Sequence, residues 1–215
     1  MNLPLFLKVR TGTHLIPCAH LNIHTKIEYY KKTTDMYERK KQMNIREAVR
    51  EDLPELLTIY NEAIRTLTAT FDLEEQTLEE RQAWFEQHGE HYPLIIAEVD
   101  NQVAGYCSLS PYQPKAAYAY TAELSIYLSV KFRGKGIGTH LIKEILKRAR
   151  QLKFHTVIAI ITSGNDSSVR LHERLGFTCV GHLQEAGLKF GKWQDVSFYQ
   201  LMIDENASQG SKNNA

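Results

Sequence analysis

The run Leu124–Arg150, LSIYLSVKFRGKGIGTHLIKEILKRAR, constrains the fold more than any other part of the chain. It opens on alternation. Leu124, Ile126, Leu128 and Val130 fall on one side and Ser125, Tyr127 and Ser129 on the other, the period of a strand. Lys131-Phe132-Arg133-Gly134-Lys135-Gly136-Ile137-Gly138 follows. From Ile137 on, Leu141, Ile142, Ile145, Leu146 and Ala149 recur at helical spacing. Strand, glycine-rich turn and helix in succession put unpaired N–H groups and the positive end of a helix dipole at the turn. Glycines admit a ligand close to the backbone, and Arg133 and Lys135 add charge, so the unit suits a phosphate or pyrophosphate. A Walker loop is excluded, because no Gly-Lys-Ser/Thr follows four variable residues. The dinucleotide fingerprint is excluded too, because its third glycine falls on Leu141. The plain alternative is a glycine-rich turn whose charges are simply solvated.

The rest of the chain predicts an α/β protein. Met43–Ala48 reads as a first strand. Asp52-Leu53-Pro54-Glu55 opens a helix, and Thr77-Leu78-Glu79-Glu80 is a capping box opening a second, with Leu78, Trp84 and Phe85 inward. Leu94–Val99 and Gln102–Ser110 are strands joined by a tight Asp100-Asn101 turn. A Pro- and Tyr-rich loop leads to a long central strand, Thr121–Val130. After the glycine-loop helix come a buried strand at His155–Thr162, a helix at Asn165–Leu175, and strands at Phe177–Glu185 and Trp193–Ile203. The order β-α-α-β-β-β-α-β-α-β-β implies a mixed sheet flanked by helices.

Composition sets limits on function. Among 215 residues, 43% are hydrophobic and 24% charged, and the net charge of +1 lends no support to a nucleic-acid partner. No apolar run reaches the roughly 18 residues that a membrane span needs. The three cysteines, Cys18, Cys107 and Cys179, have neither disulfide-framework nor metal-ligand spacing, which implies reduced thiols in a cytoplasmic protein without a metal site. Residues 1–42 lack a period and are expected to be a translated leader ahead of a natural start at Met43, an ordered extension being the alternative. Residues 205–215, ENASQGSKNNA, are expected to form a polar tail.

Arg133-x-x-Gly136-x-Gly138 after an apolar strand resembles the acetyl-CoA pyrophosphate loop of the GCN5-related N-acetyltransferase (GNAT) superfamily. Asn165, Ser168, His172, Gly176 and Phe177 match the second signature of that superfamily, and with the element order the resemblance covers about residues 43–204. Leu171-His172-Glu173, Tyr60-Asn61, Thr121–Tyr127 and Gly191-Lys192-Trp193-x-Asp195-Val196 look like the phosphinothricin and methionine sulfoximine N-acetyltransferase branch. The chain departs from that branch at Lys115-Ala116-Ala117-Tyr118, where an Arg-x-Ala-Tyr is usual. A lysine is a point charge, not a bidentate fork.

The resemblance implies a GNAT fold, mostly antiparallel, and an acetyl-CoA-dependent homodimer. It acetylates the α-amine of a small amino-acid-like acceptor by direct attack in a ternary complex, without nucleic-acid or membrane partners. It assigns Glu123 as the base for the amine proton and His172 as an acid toward the CoA sulfur or a second base, with a structural role for His172 as the plain alternative. The Leu128 N–H polarises the thioester carbonyl. Backbone from Ile126 through Leu128 to Val130 holds the pantetheine arm. Arg133, Gly134, Lys135, Gly136, Ile137, Gly138 and Thr139 meet the pyrophosphate, and Asn165 and Ser168 meet pantetheine or phosphate. Phe71, Lys115 and Tyr118 are the acceptor-pocket candidates. The alternatives are another amine acceptor (a polyamine, an aminoglycoside or a protein N-terminus) or a non-catalytic CoA-binding regulatory module.

Overall fold

The computed structural model describes residues 8–11, 14–17 and 43–203. Most of the expected leader and all of the expected 205–215 tail lie outside the described residues. The chain divides at Met43 into two units. In the first, β1 (Lys8–Thr11) and β2 (His14–Pro17) pair antiparallel, with Val9 opposite Ile16, a hairpin that leaves no period in the sequence.

The second unit begins with β3 (Met43–Glu47). Arg46 grips Asp52 with two nitrogens, at 2.7 and 2.9 Å, and the Val49 N–H also donates to Asp52, at 2.8 Å. This fixes the entry to α1 (Leu53–Thr66), which carries Pro54 in its first turn, where the missing N–H costs nothing. A segment 67–77 leads to α2 (Leu78–Phe85). Thr77 and Glu80 cap it reciprocally, Glu80 N–H donating to Thr77 Oγ1 at 3.2 Å and Thr77 N–H to the Glu80 carboxylate at 2.8 Å. The hairpin β4 (Leu94–Val99) and β5 (Gln102–Pro111) turns on Asp100 and Asn101 at φ 53° and 60°, the left-handed pair that a two-residue hairpin requires. Then follow β6 (Thr121–Leu128), α3 (Ile137–Gln151), β7 (Thr156–Thr162), α4 (Asp166–Arg174), β8 (Thr178–Lys189) and β9 (Lys192–Met202).

The sheet order is β3-β4-β5-β6-β7-β9-β8. Every pair is antiparallel except β6–β7. On one face α3 buries Leu141, Ile142 and Ile145 completely against the sheet. At about 1.5–3 kcal/mol for each such side chain, α3 is held firmly. On the other face Leu56 and Ile59 of α1 pack on Ile96 and Tyr106, with Trp84 and Phe85 of α2 against the same cluster.

Two expectations change. The central strand stops at Leu128, because Val130–Phe132 winds into a short 3₁₀ turn closed by the Phe132 N–H on the Ser129 carbonyl at 2.9 Å. In α2, Leu78 is exposed, while Arg81, which a sequence reader assigns to solvent, is among the most buried side chains. The remaining strand and helix ends lie within a few residues of the expected ones, the largest difference being β8, which runs on to Lys189.

Candidate active site

The site begins where two strands part. β6 and β7 pair over only three positions, Thr121 with Thr156, Ala122 with Val157 and Glu123 with Ile158. Beyond Glu123 both strands continue, to Leu128 and Thr162, without each other. The edge of β6 that faces the gap therefore keeps unpaired backbone groups. Their direction follows from one hydrogen bond. The Ser129 N–H donates to the Ala104 carbonyl on the β5 side at 3.0 Å. Peptide groups alternate along a strand, so Ile126 and Leu128 turn theirs into the gap.

One end of the gap is closed by the glycine turn. Gly136 caps α3 at φ 81°, a left-handed conformation that costs a residue with a Cβ about 1–2 kcal/mol, and nothing of the protein lies within 4 Å of where that Cβ would point. Arg133 Nε donates to the Leu128 carbonyl at 3.1 Å, which holds the guanidinium at the mouth of the gap. From the other side α4 aims its N-terminus inward, its cap Asn165 accepting from the Ser168 N–H at 3.3 Å and from the Ser167 hydroxyl at 3.1 Å. The result is a groove of about 500 Å³. Ile126, Leu128, Arg133, Gly134, Gly136, Ile137, Gly138, Thr139, Asn165 and Ser168, all donor-side candidates, line it. Two helix N-termini and an arginine facing a strand with free backbone groups fit a pyrophosphate followed by an extended amide-bearing arm.

Two predicted donor-side residues stand apart from this lining. Val130 is exposed in the 3₁₀ turn and its N–H points at Glu62 Oε2 at 3.4 Å. Lys135 turns its ammonium onto the Lys131 carbonyl. Other residues enter the lining unpredicted: Ala63, Leu67 and Ala69 from α1 and the segment after it, and Ser167, Leu171 and Arg174 from α4. The last three were findable, since they lie four and seven residues along one helical face.

A second cavity, of about 330 Å³, adjoins the groove and shares Ala69, Ile126, Tyr127, Asn165 and Ser168 with it. Glu123 lines it, half-buried at the last paired position of β6. Burial pushes the Glu123 carboxyl above its ordinary value, and no side-chain hydrogen bond to it is found among the described residues. His172, 2% exposed, lines the same cavity. Its Nδ1 lies 2.8 Å from the Ser168 carbonyl, which can only accept, so Nδ1 carries the proton and Nε2 presents a lone pair. Nε2 is buried without a partner among the described residues. Burial lowers the pKa of the ring, against the opposing pull of the Ser168 carbonyl, so near neutral pH His172 is an acceptor.

Thr68, Ala69, Thr70 and Phe71 line this cavity, and the segment Thr68–Asp72 that carries them is held by four elements, α1, β6, β7 and β8. Tyr60 of α1 donates to Asp72 at 2.8 Å, Tyr127 of β6 to the Ala69 carbonyl at 3.3 Å, and Thr162 of β7 to the Thr68 carbonyl at 2.6 Å. Lys189 of β8, buried, donates to the Thr70 carbonyl at 2.7 Å. Asn61 of α1 exchanges two bonds with Gln76 just beyond, at 2.9 and 3.0 Å. Phe71, one of the acceptor-pocket candidates, lines the cavity. Lys115 and Tyr118 line neither space: Lys115 caps a short 3₁₀ turn, Ala116–Tyr118, whose last residue Tyr118 meets Tyr112 edge-on at 5.5 Å between ring centres. Glu123 is thus the one formally charged side chain of the cavity lining among the described residues.

A parted sheet thus opens onto a glycine turn on one side and a half-buried carboxylate on the other, with a groove and an adjoining cavity between them. The chain belongs to the acetyltransferase (GNAT) family, whose profile matches residues 55–177 and whose members take the acetyl group from acetyl-CoA. It is 39% identical over 167 residues to an L-methionine sulfoximine/L-methionine sulfone acetyltransferase of Pseudomonas aeruginosa, covering 77% of this chain and 97% of that protein. It is 38% identical over 161 residues to a phosphinothricin N-acetyltransferase of Streptomyces viridochromogenes, covering 75% and 88%. A phosphinothricin acetyltransferase from Sinorhizobium meliloti, solved in complex with acetyl-CoA, superposes with a TM-score of 0.74 at 34% identity over 77% of this chain and 91% of that one. No helix among the described residues is long and apolar enough to cross a membrane. No His, Cys, Asp and Glu cluster among them could hold a metal.

Proposed function

We propose that this chain is an acetyl-CoA-dependent N-acetyltransferase for the α-amine of a small amino-acid-like acceptor of the phosphinothricin, methionine sulfoximine or methionine sulfone type. The observation that carries the reading is Glu123. It is a half-buried carboxylate with a raised pKa, lining a cavity sized for a small molecule that adjoins the groove. In this reading the acceptor ammonium gives its proton to Glu123. The freed amine attacks the thioester carbonyl, and the Leu128 N–H takes the developing oxyanion. The tetrahedral adduct then expels the thiolate, which is protonated by the second proton leaving the nitrogen. His172, neutral with Nε2 bare, accepts a hydrogen bond from the acceptor instead of acting as an acid. Attack is direct: burial raises the Cys107 thiol far above its ordinary pKa, Cys179 is exposed on β8, and neither lines the cavities. Cys18 lies outside the described residues.

The enzyme acts as a cytoplasmic homodimer in this reading. β8 is an outer strand of the sheet, twelve residues long, and Leu183, Leu188 and Trp193 are exposed on the β8–β9 hairpin. Free thiols at Cys107 and Cys179 suit a reducing compartment. Light scattering on purified protein tests the dimer, and a monomer at tens of micromolar would count against it.

A second reading draws on the cavity itself. A lining with one carboxylate and no cation among the described residues also suits an acceptor without a carboxylate, such as a polyamine. Thiol release from acetyl-CoA, followed separately with methionine sulfoximine, methionine sulfone, phosphinothricin and spermidine, separates the two. Turnover of the first three supports the proposal. Turnover of spermidine alone overturns it.

A further inference from the structure

An acceptor in the cavity that Glu123 lines would occupy the open side of the carboxylate, yet as the base Glu123 must lose the proton it takes in each cycle. The sheet register supplies a way out. Ser110 of β5 is the direct partner of Glu123, and cross-strand partners project to the same face with Cβ atoms about 5 Å apart. That face is the one covered by α2, as the Tyr106–Tyr127 pair four positions along confirms, since both rings lie with Trp84. Ser110 Oγ lies 3.4 Å from Nε2 of His88, just past the end of α2. The His88 ring is fixed by its Nδ1, 2.9 Å from the Trp84 carbonyl, and by a tilted contact with the Trp84 ring at 4.4 Å between ring centres. With Nδ1 donating to that carbonyl, Nε2 is an acceptor aimed at Ser110. His88 and Ser110 are both partly exposed, so the chain of groups ends at solvent. Beside it, diagonal to Glu123, the Ser108 hydroxyl is buried with no partner among the described residues, which marks this strip of the interior as polar.

We propose that Ser110 and His88 form the proton exit of the active site, a relay that returns Glu123 to its ionised form after each transfer. The proposal rests on the reading of Glu123 as the base. Protonated Glu123 passes its proton to Ser110 Oγ, directly or across one water. The hydroxyl proton of Ser110 moves to His88 Nε2. The imidazolium then gives a proton to solvent, and the Ser110 hydroxyl turns back. Burial raises the Glu123 pKa and lowers that of His88, with Arg81 adding to the lowering.

The test uses the full chain with whichever acceptor it turns over. His88→Gln keeps a polar side chain of similar reach but cannot carry the proton. It is expected to lower kcat about tenfold, less than the roughly 100-fold or more lost with a direct base, with the KM for acetyl-CoA unchanged. Ser110→Ala should do the same. Added imidazole should restore kcat to His88→Ala, which a packing defect would not allow. In a Glu123→Gln background, His88→Gln should cost nothing more. The relay is overturned if His88→Gln keeps kcat within about twofold of the parent, a change too small for lost proton transfer. It is equally overturned if imidazole leaves His88→Ala unrestored while its melting temperature falls. If instead Glu123→Gln alone retains full turnover, the reading of Glu123 itself fails, a result distinct from either of these.

Discussion

The donor groove and the acceptor pocket share five residues and are built in opposite ways. The groove is mostly backbone: the open edge of β6, the left-handed cap at Gly136 and the N-termini of α3 and α4. The pocket is mostly side chain, and its wall at Thr68–Asp72 keeps its shape through bonds from α1, β6, β7 and β8. A backbone site fixes the class of ligand and tolerates exchange of its neighbours. A side-chain site fixes the particular ligand and changes whenever one supporting residue changes.

The contrast can be broken most forcefully at the residue where the halves meet. Glu123→Gln should lower kcat by about 100-fold or more while leaving acetyl-CoA affinity intact, measured by titration calorimetry beside the turnover assay. The variant should not lose stability near neutral pH. Folding raises the Glu123 pKa, so its ionised form is the one the fold disfavours above that pKa, and a neutral amide removes the cost. A change confined to the groove comes next. Gly136→Ala strains a residue at φ 81° by about 1–2 kcal/mol, so acetyl-CoA should bind about 5–30-fold more weakly with acceptor selectivity unchanged.

Smaller effects sharpen the other half. At Gly187, a Cβ would stand 2.4 Å from the Phe71 ring. Gly187→Ala should push Phe71 into the pocket and raise the acceptor KM about fivefold, as overpacking by about 1 kcal/mol would, with the acetyl-CoA KM unmoved. The smallest signal is in the wild type. With Glu123 as the proposed base, kcat/KM should fall as pH drops through a pKa above the ordinary glutamate value of about 4.3, and that acid limb should vanish in Glu123→Gln.

This division also explains what the sequence reveals. Strand, glycines and helix follow one another within Leu124–Arg150, so the phosphate-suited turn is legible from spacing, and the equally local Asn165 to Phe177 is legible from family resemblance. The pocket wall depends on Lys189 reaching Thr70 across 119 positions of chain and on Thr162 reaching Thr68 across 94, and no period records such bonds. Arg81 was hidden for another reason. A charge on a helix reads as solvated, yet here its guanidinium stacks on Trp84 at 3.5 Å and Tyr60 at 4.4 Å and donates to the Tyr106 hydroxyl. Val130 misled because alternation ran on through Ser129 after the backbone had begun to turn. Lys115 and Tyr118 were assigned by resemblance of one loop, and that loop flanks neither cavity in this chain.

The most direct measurement offers the purified enzyme one limiting portion of acetyl-CoA and equal amounts of methionine sulfone, spermidine and a short peptide with a free N-terminus, and then identifies the acetylated products by mass spectrometry. The account predicts N-acetylmethionine sulfone, modified on its α-amine, as the dominant product. Acetyl groups found chiefly on spermidine or the peptide would contradict it.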